Sequence, residues 1–302
     1  MSVGRTCAVV KTAAVKMAAG GIGCLIAVLL IDPAQAASVA DKVSPLANIR
    51  AGKLHLTPHR AVYDLTLAQA ESSSGISDMN GKLVFEFSGS TCAGFTMNMR
   101  FVSQIADSDG AAALTDMRSS TWESADGETF RFNSTQYVDS ALKEATTGNA
   151  RRARGKTIAI DLAAPVQRAF SIDPDVAFPT EHLVDVILAA QDGRHIFQRR
   201  VYDGSETGDK VFDTMAVIGP SRAGNNAALP QNAAGMRGAK AWPVSIAYFH
   251  DGADGGEQVP TYQLSYLLYS NGVSDELLLD YGDFTLKGRL ASIEFLNVAE
   301  CN

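Results

Sequence analysis

Apolar and polar residues alternate along most of the chain, and one stretch breaks that rhythm. From Pro58 the period is two. Ala61, Tyr63, Leu65 and Leu67 alternate with Val62, Asp64 and Thr66, and further on Leu83, Phe85 and Phe87 share a face opposite Val84 and Glu86. This is the pattern of half-buried strands. Asp78-Met79-Asn80-Gly81 reads as the turn between them, Gly89-Ser90 as the next reversal, and Phe95, Met97, Met99 and Phe101 line the strand after it. Asp107-Ser108-Asp109-Gly110 is a hairpin signal, and residues 114–124 and 129–137 flank Asp126-Gly127. Residues 148–155, with Arg151, Arg152 and Arg154, read as a solvated hairpin tip. Residues 157–162 form a short strand, and 195–202 and 210–218 flank the turn sequence DGSETGD. Residues 219–240, rich in Gly, Ala and Asn, read as a mobile insertion. Strands over 242–250, 262–269, 273–281 and 284–297 complete the set, with a type I′ turn expected at Asn271-Gly272.

The exception is TEHLVDVILAAQDG, residues 180–193. Leu183, Val186, Ile187 and Ala190 recur at helical spacing, and Val184 and Leu188 widen their face. Only Glu181, His182, Asp185 and Gln191 are left for water, so the helix belongs inside something. Pro179 ends any earlier helix, Thr180 is placed to cap the first free amides, and Gly193 suits the C-terminal end. About a dozen antiparallel strands around one helix at about 180–191 predict a mainly β, single-domain protein. A sheet of that size curls or closes, because twist accumulates and open edges are liabilities.

The N-terminus changes the compartment. Arg5, Lys11 and Lys16 precede the apolar run 17–31, and Ala34-Gln35-Ala36 completes the pattern of a secretory signal over 1–36, cleaved between Ala36 and Ala37. The run is about 15 residues, short of the about 20 that a membrane span needs. Cys24 lacks the residues that lipid attachment would require before it. Residues 37–57 then form an N-terminal arm and 58–302 the β domain, with no transmembrane segment in the mature form. The precursor's net charge is −7, and the mature form is more acidic, which argues against nucleic acid and against docking on anionic membranes. Of four cysteines, Cys92 and Cys301 remain after cleavage. An exported pair forms one disulfide or stays as buried thiols; two cysteines without a nearby CxxC or HxxxH partner supply too few ligands for a metal site.

No catalytic motif is present: no GxSxG, HExxH, P-loop or CxxC. No catalytic residue, metal ligand or cofactor is assigned. His55 and His59 are separated by the helix-breaking Pro58. Asp251, Asp254 and Glu257 lack the EF-hand order of oxygens. His182 beside Asp185 and Glu181 is the only acid–base candidate, and reads first as the wet strip of the helix.

Several segments together resemble the bacterial cell-envelope integrity protein EipB family: HRAVYDLTL in the first strand, LVFEFSGSTCAGF around Cys92, FPTEHL opening the helix, YDGSETGDKVF, and IEFLNVAEC ending at Cys301. The likeness spans about 58–301. It implies a periplasmic protein folded as a many-stranded β-spiral that holds a helix, similar in shape to the periplasmic lipoprotein carriers. It also implies a disulfide between Cys92 and Cys301 and no established catalytic residues. The function expected is non-enzymatic maintenance of envelope integrity, by binding a lipid or lipoprotein-like ligand or a periplasmic partner protein. The alternatives are a ligand-free scaffold or an envelope-polymer hydrolase.

Overall fold

The computed structural model describes residues 46–50, 52–153, 157–223, 229–250, 259–298 and 301. All of them belong to one compact unit, Ala40–Asn302. The signal sequence with its Ala36/Ala37 cleavage site, the acids Asp251, Asp254 and Glu257, and Arg154 lie outside the described residues.

A single turn of helix, α1 (Ala47–Arg50), leads into β1 (His59–Ala70), β2 (Ile76–Ser90), β3 (Gly94–Asp107), β4 (Ala112–Glu123) and β5 (Thr129–Val138). Then come β6 (Ala141–Arg152), β7 (Ile158–Ala164), β8 (Arg168–Ile172) and the long helix α2 (Pro179–Gln191). Beyond it lie β9 (Ile196–Val201), β10 (Phe212–Ile218), β11 (Arg222–Ala223), β12 (Lys240–His250), β13 (Tyr262–Tyr269), β14 (Ser274–Asp280) and β15 (Phe284–Phe295). All 15 strands join one sheet in the order β8-β7-β6-β5-β4-β3-β2-β1-β15-β14-β13-β12-β10-β9, with β11 paired to β12. Every named strand pair is antiparallel, as short hairpins dictate.

The order has a simple logic. The first and last strands pair, with Ala61 opposite Ile293, so the sheet would close if β8 met β9. It stays unclosed there. Between those two edges the chain dips inward as α2, and the approach to the helix touches the far edge through a parallel bridge from Ala177 to Val201. The helix thus spans the seam and fills the concave side. Val184, Val186, Ile187, Ala189 and Ala190 are buried against Phe87 and Phe95 from one arm of the sheet and Ile218, Trp242, Ile246 and Leu268 from the other. Leu46, Leu54 and Leu56 of the N-terminal arm complete that cluster.

Several local readings need correction. Asp78–Gly81 lies inside β2, and the chain reverses earlier, at a 3-10 turn over Ser72–Ser74 followed by Gly75 at φ 70°. Gly81 is there for close approach: a Cβ would stand 2.5 Å from the Val102 carbonyl oxygen of β3. Asn271-Gly272 is not a type I′ turn, since only Gly272 has positive φ (87°) and its N–H donates to Tyr269 O at 2.9 Å. The turn with two positive φ values is Asp139-Ser140, at 49° and 67°, between paired Val138 and Ala141. Residues 148–152 are strand, and β6 and β8 were not marked by the alternation. The described part of 219–240 is packed: Leu229, Ala233 and Met236 are buried with Ala61, Tyr63, Leu267 and Leu290. Small residues permit this, with Gly235 lying flat on the Phe295 ring.

Candidate functional site: a cavity between the helix and the sheet

The helix enters the interior through a polar joint. Glu181, fully buried, takes a two-pronged ion pair from Arg152 on β6, Nη1 to Oε1 and Nη2 to Oε2, both 2.9 Å. Arg152 also donates to the Gly127 and Val176 carbonyls at 3.0 and 2.7 Å and lies over the Phe178 ring. Arg152 is therefore no solvated tip, and Glu181 no wet residue. The first turn is capped by carboxylates and not by the Thr180 hydroxyl: the Phe178 N–H donates to Glu181 Oε2 at 3.2 Å, and the Thr180 N–H donates to Glu123 Oε1 at 2.5 Å. Glu123 closes β4 and is completely buried, and desolvation pushes its carboxyl up to about 8.

The other polar residues of α2 also have partners. His182 is buried and its Nε2 lies 3.2 Å from Thr214 Oγ1. That hydroxyl donates to Arg199 O at 2.7 Å, so the ring must supply the proton of the shared bond and carries it on Nε2. Desolvation, aided by the Arg199 charge, lowers His182 to about 4. Asp185 faces Arg199 at 3.3 Å, and its partial burial raises it to about 6. The His182 ring is thus engaged by Thr214, and the acids beside it by arginines, Glu181 by Arg152 and Asp185 by Arg199. On the expected core face Leu183 and Leu188 are only half-buried, and Leu183 borders open space.

That space is a cavity of about 300 Å³ between α2 and the concave sheet face. Its walls are mostly apolar and aromatic: Phe85, Met97, Leu183, Ile246, Leu264 and Tyr248 represent them. The strands supply these through their alternation, β2 and β3 on one side and β12 and β13 on the other. Polar groups interrupt the wall at a few points. His59 donates from Nδ1 to the Thr57 carbonyl at 2.7 Å and is kept below its ordinary value by desolvation. The Tyr63 hydroxyl donates to Ser274 O at 2.7 Å, and Ser265 donates to Ser245 at 2.8 Å. Asp203, just beyond β9, also lines the cavity, and desolvation raises its carboxyl. Burial likewise raises the phenols of Tyr248 and Tyr266.

Away from the cavity, Cys92 in the β2–β3 turn is joined to Cys301, with Sγ–Sγ 1.94 Å and Cα–Cα 5.7 Å. His55 is exposed while His59 is buried, so the two do not converge. No group of three or more His, Cys, Asp or Glu side chains able to hold a metal occurs among the described residues. Among them, too, no helix is long and apolar enough to cross a membrane. The cavity wall draws on residues from eight elements, and no local motif marks it. The one sequence signal was the alternation of large apolar residues on strands that later share a face.

Comparison with known proteins places this architecture. A crystal structure from Brucella abortus, described as a beta-barrel-like protein of a domain of unknown function, superposes with TM-score 0.74 at 34% identity, covering 81% of this chain and 100% of that one. The Cell envelope integrity protein EipB of Brucella abortus (strain 2308) is 35% identical over 254 residues, 83% of this chain and 88% of the relative. The family model described as EipB-like matches residues 50–297. The chain belongs to the EipB-like family.

Proposed function

We propose that this protein is a non-enzymatic periplasmic factor that maintains cell-envelope integrity by holding a lipophilic ligand between α2 and the concave sheet. The observation that carries the reading is the apolar cavity of about 300 Å³, at the lower end of the usual size for small-molecule sites. Its walls are set by strands and a helix, so the site is preformed and needs little reorganisation on binding. The name of the Brucella relative supports the envelope role, and the secretory pattern of residues 1–36 supports the periplasm. The polar residues of α2 are engaged in anchoring the helix, which supports binding over hydrolysis.

The test is calorimetric titration of delipidated mature protein with monododecanoylglycerol, a neutral single-chain probe. Saturable binding is expected, and Leu264→Trp, which fills the cavity from β13, should abolish it without lowering the melting temperature by more than a few degrees. Absence of heat with the unaltered protein would remove the cavity reading. A second reading, a periplasmic protein partner, is favoured by β8, an edge strand whose only ladder partner among the described residues is β7. Crosslinking from β8 in periplasmic extract that captures no protein would count against it.

A further inference from the structure

The loop DGSETGD after β9 reads from sequence as an ordinary hairpin turn, yet its first residue reaches the cavity wall. The loop is held from several sides. Gly204, at φ 69°, lies on the Phe132 ring so closely that a Cβ would sit 2.3 Å from it. The Tyr202 hydroxyl donates to Gly208 O at 2.6 Å, and the Thr146 hydroxyl donates to Glu206 O at 2.5 Å. Gly208 packs against Leu162. Asp203 is therefore presented by a clamped loop, the condition for precise recognition.

The charge balance of the cavity is one-sided. No Lys or Arg among the described residues lines it. Most of its polar groups are satisfied internally: His59 by Thr57, Tyr63 by Ser274, His182 by Thr214 and Ser265 by Ser245. Asp203 Oδ1 accepts the Ser205 N–H at 2.9 Å, and the described residues give the carboxyl no cationic partner. Tyr248, which lines the same cavity as Asp203, stacks on Tyr262 with centroids 4.4 Å apart, and Phe212 edges the pair at 6.1 and 5.9 Å. Both phenols feel the Asp203 charge. A carboxyl beside aromatic faces attracts cations twice over, by charge and by ring quadrupole. The positive end of α2 offers no rival site for an anion, because Glu123 and Glu181 already occupy the amides of its first turn.

We propose that the cavity selects a single-chain amphiphile with a protonated amine head, bound by Asp203 beside the Tyr248–Tyr262 stack with its chain along the apolar wall. This rests on the reading that the cavity takes a lipophilic ligand. A volume of about 300 Å³ suits one chain rather than two.

The experiment compares dodecylamine, monododecanoylglycerol and dodecanoate by calorimetry at pH 7, each below its micellar concentration. Dodecylamine should bind at least about tenfold more tightly than dodecanoate, a difference of about 1.4 kcal/mol. In Asp203→Asn, whose side-chain carbonyl keeps the Ser205 bond, the amine-to-glyceride affinity ratio should fall to near unity. Asp203→Glu should retain a ratio above one, and thermal melts verify that both variants fold. Dodecanoate binding as tightly as the amine, or a ratio unmoved in Asp203→Asn, overturns the head-group assignment. If the glyceride binds but the amine shows no preference, only this inference falls; if none of the three binds, the carrier reading falls with it.

Discussion

Glu123 lies wholly inside the protein, with one oxygen taking the Thr180 N–H and the other, like the Thr180 hydroxyl, without a partner at bonding geometry. Desolvation of the charged form outweighs the hydrogen bonding from the start of α2, so the carboxyl keeps its proton up to about pH 8, against an ordinary 4.5. A raised acid binds more protons folded than unfolded. Its stabilisation is complete below about 4.5 and is lost as pH rises to 8. Asp185 has the same sign but is finished by about pH 6, and His182 opposes it between 4 and 6.5. Asp203 acts in the same direction as Glu123. Between pH 6.5 and 8, Glu123 should therefore cost the fold about 2 kcal/mol. Urea midpoints measured across this range should fall in the unaltered protein and flatten in Glu123→Gln; an equally steep fall in the variant would assign the slope elsewhere. None of this was legible in the sequence. Glu123 and Thr180 are 57 residues apart, and Arg152 and Glu181 are 29 apart. Local pattern treats lone charges as surface, and only tertiary pairing reverses that.

The helix shows what periodicity can and cannot say. Its extent was legible from the apolar spacing, Pro179 and Gly193, and the expected 180–191 differs from Pro179–Gln191 by one residue at the N-terminal end. Its surroundings were not. A helical pattern divides apolar from polar, but α2 meets protein on almost every side, so Glu181 and His182 are buried along with Ile187 while Leu183 is only half-buried. The polar face meets the seam, the apolar face the two sheet arms, and Leu183 the cavity. Ile187, with no exposed surface in the main cluster, is the position to probe. Ile187→Asp places an unpaired charge there and should cost about 3–5 kcal/mol. Circular dichroism melts should show this as a drop of many degrees, and an unchanged melt would put the helix outside the cooperative core. The strands were legible to a similar degree. Alternation found most of them, whereas Gly81 and Asn80 mimicked a turn because glycine in a strand and glycine in a turn look alike locally.

Across the whole described unit, the sheet has two places where its halves are brought together: the β8–β9 seam, where the strands do not pair, and the paired junction of first and last strands at β1–β15. They are held differently. The seam is spanned by α2, the Ala177–Val201 bridge and the clamped loop on Phe132 and Leu162. At the chain ends β1 and β15 share a full ladder, and the Cys92–Cys301 bond then ties the terminus back to the β2–β3 turn across 209 residues. Closing so long a loop in the unfolded chain corresponds to about 5 kcal/mol in the chain-entropy model. The native contribution should be smaller, because Cys301 is exposed and lies beyond the end of β15 at Phe295. If the bond forms in the exported protein, thiol titration under denaturing conditions should find no free thiol before reduction and two after it. Cys301→Ser should lower the urea midpoint by an amount equal to that of Cys92→Ser, with no further loss in the double variant, since both remove one bond. Thiols free to react before reduction, or additive losses, would mean that the two cysteines act separately. The helix would then be the main element holding the sheet in its curled form.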